Sequence, residues 1–310
     1  MKGLVYKSTG SWYLVKNDEG KMYKARLKGI FKIDGITSTN PIAVGDQVEM
    51  ELSTEGEADA MIINILPRHN YIARSSPHHI KHHHIVAANL DQAVLFASLK
   101  NPKTSLGFID RFLATAEAFH IPAIIIFNKA DIYQKKELQQ FERIKNIYSS
   151  LGYTVFLVSV SMQSGIKEVE KIFDHKTTLI SGNSGVGKSS FINLISPSIN
   201  LKTMEVSQWS GKGMHTTTFA EMHDIPRFQA ARIIDTPGLR EFGMADMDKQ
   251  EISHYFPEMR DRLNDCRFNN CLHIDEPGCA IKAAVEKEEI YMERYISYLK
   301  IMDSIKEKEY

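Results

Sequence analysis

The sequence predicts a multidomain fold in three parts. These are an N-terminal OB-like β-barrel, a central α/β domain wound around a parallel sheet, and a C-terminal α-helical module. Three observations carry this reading. Short strand-like segments separated by turns fill the chain from Gly3 to about Leu66. Continuous apolar runs alternate with amphipathic stretches from Leu90 to about Glu241. Beyond Glu241 the strand signal stops, and all three Cys of the 310-residue chain fall within 266–279.

In the first part, Leu4–Tyr6, Trp12–Val15, Met22–Leu27, Gln47–Leu52 and Met61–Ile65 read as strands. Thr9-Gly10, Asn17–Gly20, Gly45-Asp46 and Glu55-Gly56 break them, and five such strands suit a small closed barrel. Charge is segregated within it. Residues 1–45 carry eight basic and three acidic side chains, whereas 46–70 carry one and six. One end or face is therefore suited to phosphate although the chain as a whole has net charge +0. Neutrality excludes a histone-like polycation and nothing more.

A linker is expected over 69–85, with five His between His78 and His84. A metal site there lacks fixed ligand spacing and a Cys partner, so a flexible, weakly cationic connector is the expectation. Three Cys cannot build a disulfide framework, and no signal peptide is seen ahead of the first strand. The apolar run Ile121–Phe127 contains Pro122 and is too short to span a bilayer. A cytoplasmic chain with no membrane partner is expected.

In the central part, Ala93–Ala97, Ala123–Phe127, Tyr153–Val158, Thr178–Ile180 and Ala231–Ile234 read as continuous apolar runs, with Thr154, Thr178 and Arg232 the polar residues within them. Such runs suit strands covered on both faces. Ile109–Phe119 and Lys136–Ser149 are helix-like between them, and the domain is expected over 86–242.

Chemistry enters at Gly182-Asn183-Ser184-Gly185-Val186-Gly187-Lys188-Ser189, with Ser190 following. This G-x-x-x-x-G-K-[ST] run stands between a strand and a helix-like segment, where its backbone N–H groups converge on phosphates. Lys188 would reach the β- and γ-phosphates and Ser189 would ligate Mg²⁺. That motif leaves ATP and GTP open. Asn128-Lys129-Ala130-Asp131, directly after the run Ala123–Phe127, favours GTP. A carboxylate at Asp131 accepts from both the ring N–H and the exocyclic amine of guanine, and adenine offers no such pair. Ser159-Val160-Ser161 would complete the base pocket. Asp235-Thr236-Pro237-Gly238 supplies an acidic residue toward Mg²⁺ and a Gly238 N–H toward the γ-phosphate. The glycine-flanked Gly211–Thr218 reads as a switch loop in which a Thr hydroxyl, Thr216 or Thr217 among them, meets Mg²⁺.

The order of these motifs is unusual. An ordinary GTPase runs phosphate loop, switch, D-x-x-G, then N-K-x-D, whereas here N-K-x-D comes first. The central domain is therefore expected to be a circularly permuted P-loop GTPase. Leu239 stands where many GTPases place a water-orienting Gln, so slow intrinsic turnover is expected. His215 is the catalytic candidate, with a structural switch-loop histidine as the alternative.

The third part, 243–310, carries Cys266-x₄-Cys271-x-His273-x₅-Cys279. Cys₃His is a closed ligand set for one structural Zn²⁺. A long helical pattern follows over Ala280–Glu309, with Tyr291, Tyr295, Tyr298, Met302 and Ile305 as one buried stripe.

Together these residues resemble the ribosome small subunit-dependent GTPase A family of circularly permuted bacterial GTPases. Besides the motifs above, Val44-Gly45-Asp46-x-Val48, Ala87–Asp91, Gly211-x-Gly213-x-His215-Thr216-Thr217 and Glu241-Phe242-Gly243 carry the resemblance, which covers nearly the whole chain. It implies binding to the small ribosomal subunit and its rRNA, subunit-stimulated hydrolysis of GTP to GDP, and a role in late subunit maturation. DNA is not expected as a partner, and a monomer is. Asn183 is the second loop residue and Gly185 the fourth, so the potassium-binding Asn of certain GTPases is not matched. The alternative functions are a non-catalytic, GTP-liganded RNA-binding or scaffold protein and a P-loop ATPase or kinase.

Overall fold

The computed structural model describes residues 1–28, 41–53, 58–75, 83–199, 220–235 and 247–305. The expected site residues His215, Thr216, Thr217 and Gly238 lie outside these, as do Gly211–Thr218 and most of the His-rich stretch.

Five strands form the N-terminal barrel: β1 (Lys2–Ser8), β2 (Tyr13–Asn17), β3 (Met22–Leu27), β4 (Gln47–Leu52) and β5 (Ala60–Ile65). Pairing runs β1-β2-β3-β5-β4 and closes from β4 back onto β1. Closure pairs each of these five described strands on both sides. Alternation turns Val5, Val15, Tyr23, Ala25, Val48, Met50 and Ile62 inward as the barrel core.

The expected linker carries a hairpin of β6 (Tyr71–Ser75) and β7 (His83–Ala88). It joins the barrel where Val44 bridges Ala87. Gly45 lies so close to this hairpin that a Cβ would sit 2.1 Å from the Ala88 carbonyl, and its φ of +92° also demands glycine.

The central domain contains β8 (Gln92–Ala97), α1 (Leu106–Ala118), β9 (Ala123–Phe127), α2 (Lys135–Ser150), β10 (Thr154–Leu157) and α3 (Ile166–Glu170). It continues with β11 (Thr177–Gly182), α4 (Lys188–Ile195), β12 (Glu221–Asp224) and β13 (Arg232–Asp235). The sheet order is β10-β9-β8-β11-β13-β12, with only β12 antiparallel to its neighbour. The chain runs outward from β8 to β10, returns to β11 beside β8, and then fills the other side. That return places the phosphate-loop strand at the centre of the sheet, where the winding direction changes. β8 is buried along its length, with Leu95 in the core under α1 and α2 and Phe96 in the opposite core under α4. β12 is polar and short, and the apolar-run reading did not reveal it.

The C-terminal module begins with a 3-10 segment at Lys249–Tyr255 and α5 (Pro257–Arg260), then passes the Cys cluster into α6 (Ala280–Glu286) and α7 (Met292–Ser304). The single long helix expected over Ala280–Glu309 is thus two, broken where Glu288 takes φ +59°. Tyr298 and Met302 are buried, but Tyr291 caps α7 and is 37% exposed, so the expected stripe starts later. The module packs its apolar face on Ala114, Ala118 and Phe119 of the central domain.

Candidate nucleotide site and metal centre

Two loops at the carboxyl ends of central strands meet through one side chain. Asn128 directly follows β9 and is 3% exposed. Its Nδ2 donates to the Val186 carbonyl in the phosphate loop at 2.9 Å, and its Oδ1 accepts from the Val160 N–H at 3.0 Å. N-K-x-D, the phosphate loop and the segment after β10 are therefore held in one place. Parallel register sets Ile180 beside Asp235, so the D-T-P-G strand ends next to the phosphate loop as well.

Asp131, the expected base-reading carboxylate, follows in the same loop. The Ser159 hydroxyl donates to its Oδ1 at 2.5 Å, and Ser161 lies 3.0 Å from Ser159. The Ser159 hydrogen bond holds the Asp131 carboxyl below its ordinary range, so it is ionised and an acceptor at neutral pH. Lys129 takes φ +72° and donates to the Asn101 carbonyl, while burial lowers its pKa. The phosphate loop itself is already curled: Lys188 donates to the Gly182 carbonyl at 2.8 Å and to the Asn183 carbonyl at 3.0 Å. These are ligands that phosphate oxygens can replace. Ser189 and Ser190 lie in the first turn of α4, whose N-terminal dipole favours anions. Ser189 is half-buried and fits a Mg²⁺-facing hydroxyl, whereas Ser184 and Ser190 are exposed.

The second centre is in the C-terminal module. The ligand atoms of Cys266, Cys271, His273 and Cys279 all lie within 4.8 Å of one another. His273 Nδ1 is 3.7 Å from the Cys266 sulfur and 3.4 Å from the Cys279 sulfur, so Nδ1 is the ring nitrogen that faces the cluster. All three Cys are free thiols. Burial pushes the Cys271 thiol up to about 12, so the thiol is protonated at neutral pH and a bound cation is what would stabilise its thiolate. Four convergent soft donors fit a tetrahedral structural Zn²⁺. Glu276 shapes the ligand loop by accepting from the N–H groups of Leu272, Ile274 and Asp275. Tyr295 and Tyr298 donate to the carbonyls of His273 and Leu272 at 2.6 and 2.7 Å. Neither Glu276 nor these tyrosine contacts is signalled by a motif.

A profile described as RsgA N-terminal domain matches residues 2–60, and one described as RsgA GTPase matches 65–245. The protein named small ribosomal subunit biogenesis GTPase RsgA from Christiangramia forsetii is 51% identical over 308 residues, covering 98% of this chain and 96% of the relative. One named RsgA 2 from Bacteroides thetaiotaomicron is 48% identical over 310 residues, covering 100% and 99%. Among solved structures, YjeQ from Thermotoga maritima superposes with a TM-score of 0.75 at 31% identity, covering 97% of each chain. YloQ, described as a circularly permuted GTPase, gives 0.72 at 29% identity, covering 100% and 96%. Because the GTPase profile spans more than half of the chain and relatives match it end to end, the chain belongs to the RsgA GTPase family and is a GTP hydrolase.

Proposed function

We propose that this GTPase binds the small ribosomal subunit through its rRNA and acts in late subunit maturation, with turnover stimulated by the particle. The Asn128 bridge between phosphate loop and base pocket is the observation that carries nucleotide binding. The names of full-length relatives support the ribosomal partner. Asp131 would read guanine with Ser159 and Val160 lining its loop. Residues Gly182 to Ser190 would wrap the phosphates. Ser189, Asp235 and a hydroxyl of Thr216 or Thr217 would surround Mg²⁺, and Gly238 would face the γ-phosphate.

His215 is proposed to orient or deprotonate the attacking water, since Leu239 has no group that can. Cys266, Cys271, His273 and Cys279 would hold one Zn²⁺ that folds the module. The working division is a barrel at 1–68, connector at 69–85, GTPase domain at 86–242 and zinc module at 243–310. The protein would act in the cytoplasm as a monomer, on rRNA and not on DNA. No helix among the described residues is long and apolar enough to cross a membrane.

Phosphate release from GTP, measured with and without purified small subunits, tests the proposal. Slow release that rises on adding subunits is expected. No release under either condition would instead support the scaffold alternative. Under the same conditions His215→Ala should lose most of the stimulated rate, and an unchanged rate would remove His215 from the mechanism.

A further inference from the structure

Nothing in the sequence motifs singles out Tyr133, two residues beyond Asp131. Its ring is buried in the core under α1 and α2, with the residue 8% exposed. The hydroxyl donates to the Asn128 carbonyl at 2.7 Å and accepts from the Leu99 N–H at 2.8 Å. Ser98 Oγ lies a further 3.2 Å away, and its own proton is directed at the Lys100 carbonyl at 2.7 Å. One phenol oxygen thus ties the loop after β8 to the main chain of the base-reading loop. Lys129 reaches the same β8 loop at the Asn101 carbonyl, so the two loops are stapled at two points. Asn128 is the residue whose side chain holds Val186 and Val160, and its carbonyl is the atom Tyr133 grips.

We infer that Tyr133 is a positioning residue for guanine nucleotide binding. Its buried hydroxyl fixes the Asn128 peptide, which sets both the aim of Asn128 at the phosphate loop and the stance of Asp131 toward the base. It touches no part of the nucleotide and acts through Asn128 alone. The inference rests on the reading of this cleft as the guanine nucleotide site. A loosened Asn128 peptide leaves the phosphate chemistry in place but raises the cost of assembling the pocket. Affinity should therefore suffer for GDP and GTP alike, and turnover at saturation should not.

Tyr133→Phe removes the hydroxyl and keeps the ring. It leaves a buried N–H and a buried carbonyl without their partner, so about tenfold weaker binding of both GDP and GTP is expected. KM for GTP should rise in step, with kcat within about twofold of the parent. Tyr153→Phe is the control, because it deletes another buried tyrosine hydroxyl, bonded to Glu117 at 3.1 Å, that takes no part in the nucleotide loops. Parent-like nucleotide affinity in Tyr133→Phe, or an equal loss in both variants, overturns the assignment. If Tyr133→Phe does not fold, the parent protein carries the test through hydrogen exchange. The Leu99 amide should exchange more slowly with GDP bound, and no change overturns the inference. Asp131→Asn separates this from the underlying reading: if that variant still binds guanine nucleotides normally, the site itself is wrong, whatever Tyr133 does.

Discussion

Gly187 shows how much one residue can carry. It closes the phosphate loop with φ +100°, and a Cβ there would stand 2.2 Å from the Asn128 amide nitrogen. The position is therefore doubly restricted, by backbone conformation and by the side chain that joins the two nucleotide loops. Gly187→Ala should cost about 1–3 kcal/mol in strain and displaced contact, and most of that falls on the nucleotide pocket. We expect GDP binding weakened roughly 10- to 100-fold by isothermal titration, with a small change in thermal midpoint. Affinity equal to the parent would mean that the loop rearranges freely. Residue types and spacing made Gly187, Lys188, Asp131 and the four metal-centre residues legible in the sequence. Tyr133 and Glu276 were not legible, because a phenol bonded to a distant amide or a carboxylate capping three N–H groups leaves no spacing pattern.

At the scale of elements, α7 is docked onto the central domain by a buried charge cluster. Arg294 is 1% exposed and reaches Asp110 on α1 at 2.7 Å and Glu258 on α5 at 2.7 Å. Its guanidinium also lies over the Phe256 ring at 4.5 Å, and Tyr148 from α2 donates to the same Asp110 oxygen. Burial alone would lower the Arg294 pKa, but Asp110 and Glu258 outweigh it and hold the guanidinium charged. Arg294→Met would strand two buried carboxylates and should destabilise the protein by about 3–5 kcal/mol in chemical denaturation. A loss below about 1 kcal/mol would show that the carboxylates find other partners or water. The helical period of α7 was readable, but an arginine at an interior position reads as a solvated residue until its partners are known. The same limit applies to β12, whose Glu, His and Asp carry no strand signal; its place is set by pairing with β13 and with the barrel.

Across the whole molecule, the two flanking modules attach to opposite halves of the central sheet. The Cys-bearing module sits on α1, beside the base-reading half. The barrel joins the other half, where β1 pairs with β12 at Lys7 and Glu221 and extends the sheet to eleven strands. Asp224 is the polar centre of that junction. It accepts from Tyr6 at 2.7 Å, pairs with Lys16 at 2.6 Å, and faces Arg232 on β13 at 3.7 Å. Tyr6 and Lys16 hydrogen bonds hold the Asp224 carboxyl below its ordinary range against the opposing effect of burial. Removing these contacts by Asp224→Ala should loosen barrel and β13 together. Amide exchange in β1 and β12 is expected to quicken about tenfold while β8 and β9 keep their protection. Equal protection in parent and variant would show that the apolar contacts of Tyr6 and Met222 suffice alone.

The sequence by itself determined the permuted order of the motifs, the five-stranded barrel and the grouping of Cys266, Cys271, His273 and Cys279, because each depends on residue type at short spacing. Only the tertiary structure decided the hairpin within the connector, the break between α6 and α7, the buried Arg294 cluster and the barrel's attachment to the β12 and β13 side. Those features depend on partners far apart along the chain, such as Arg294 with Asp110 or Tyr6 with Asp224. Local patterning carries no record of such pairs, since what selects them is the desolvation of charges and hydroxyls once the elements pack.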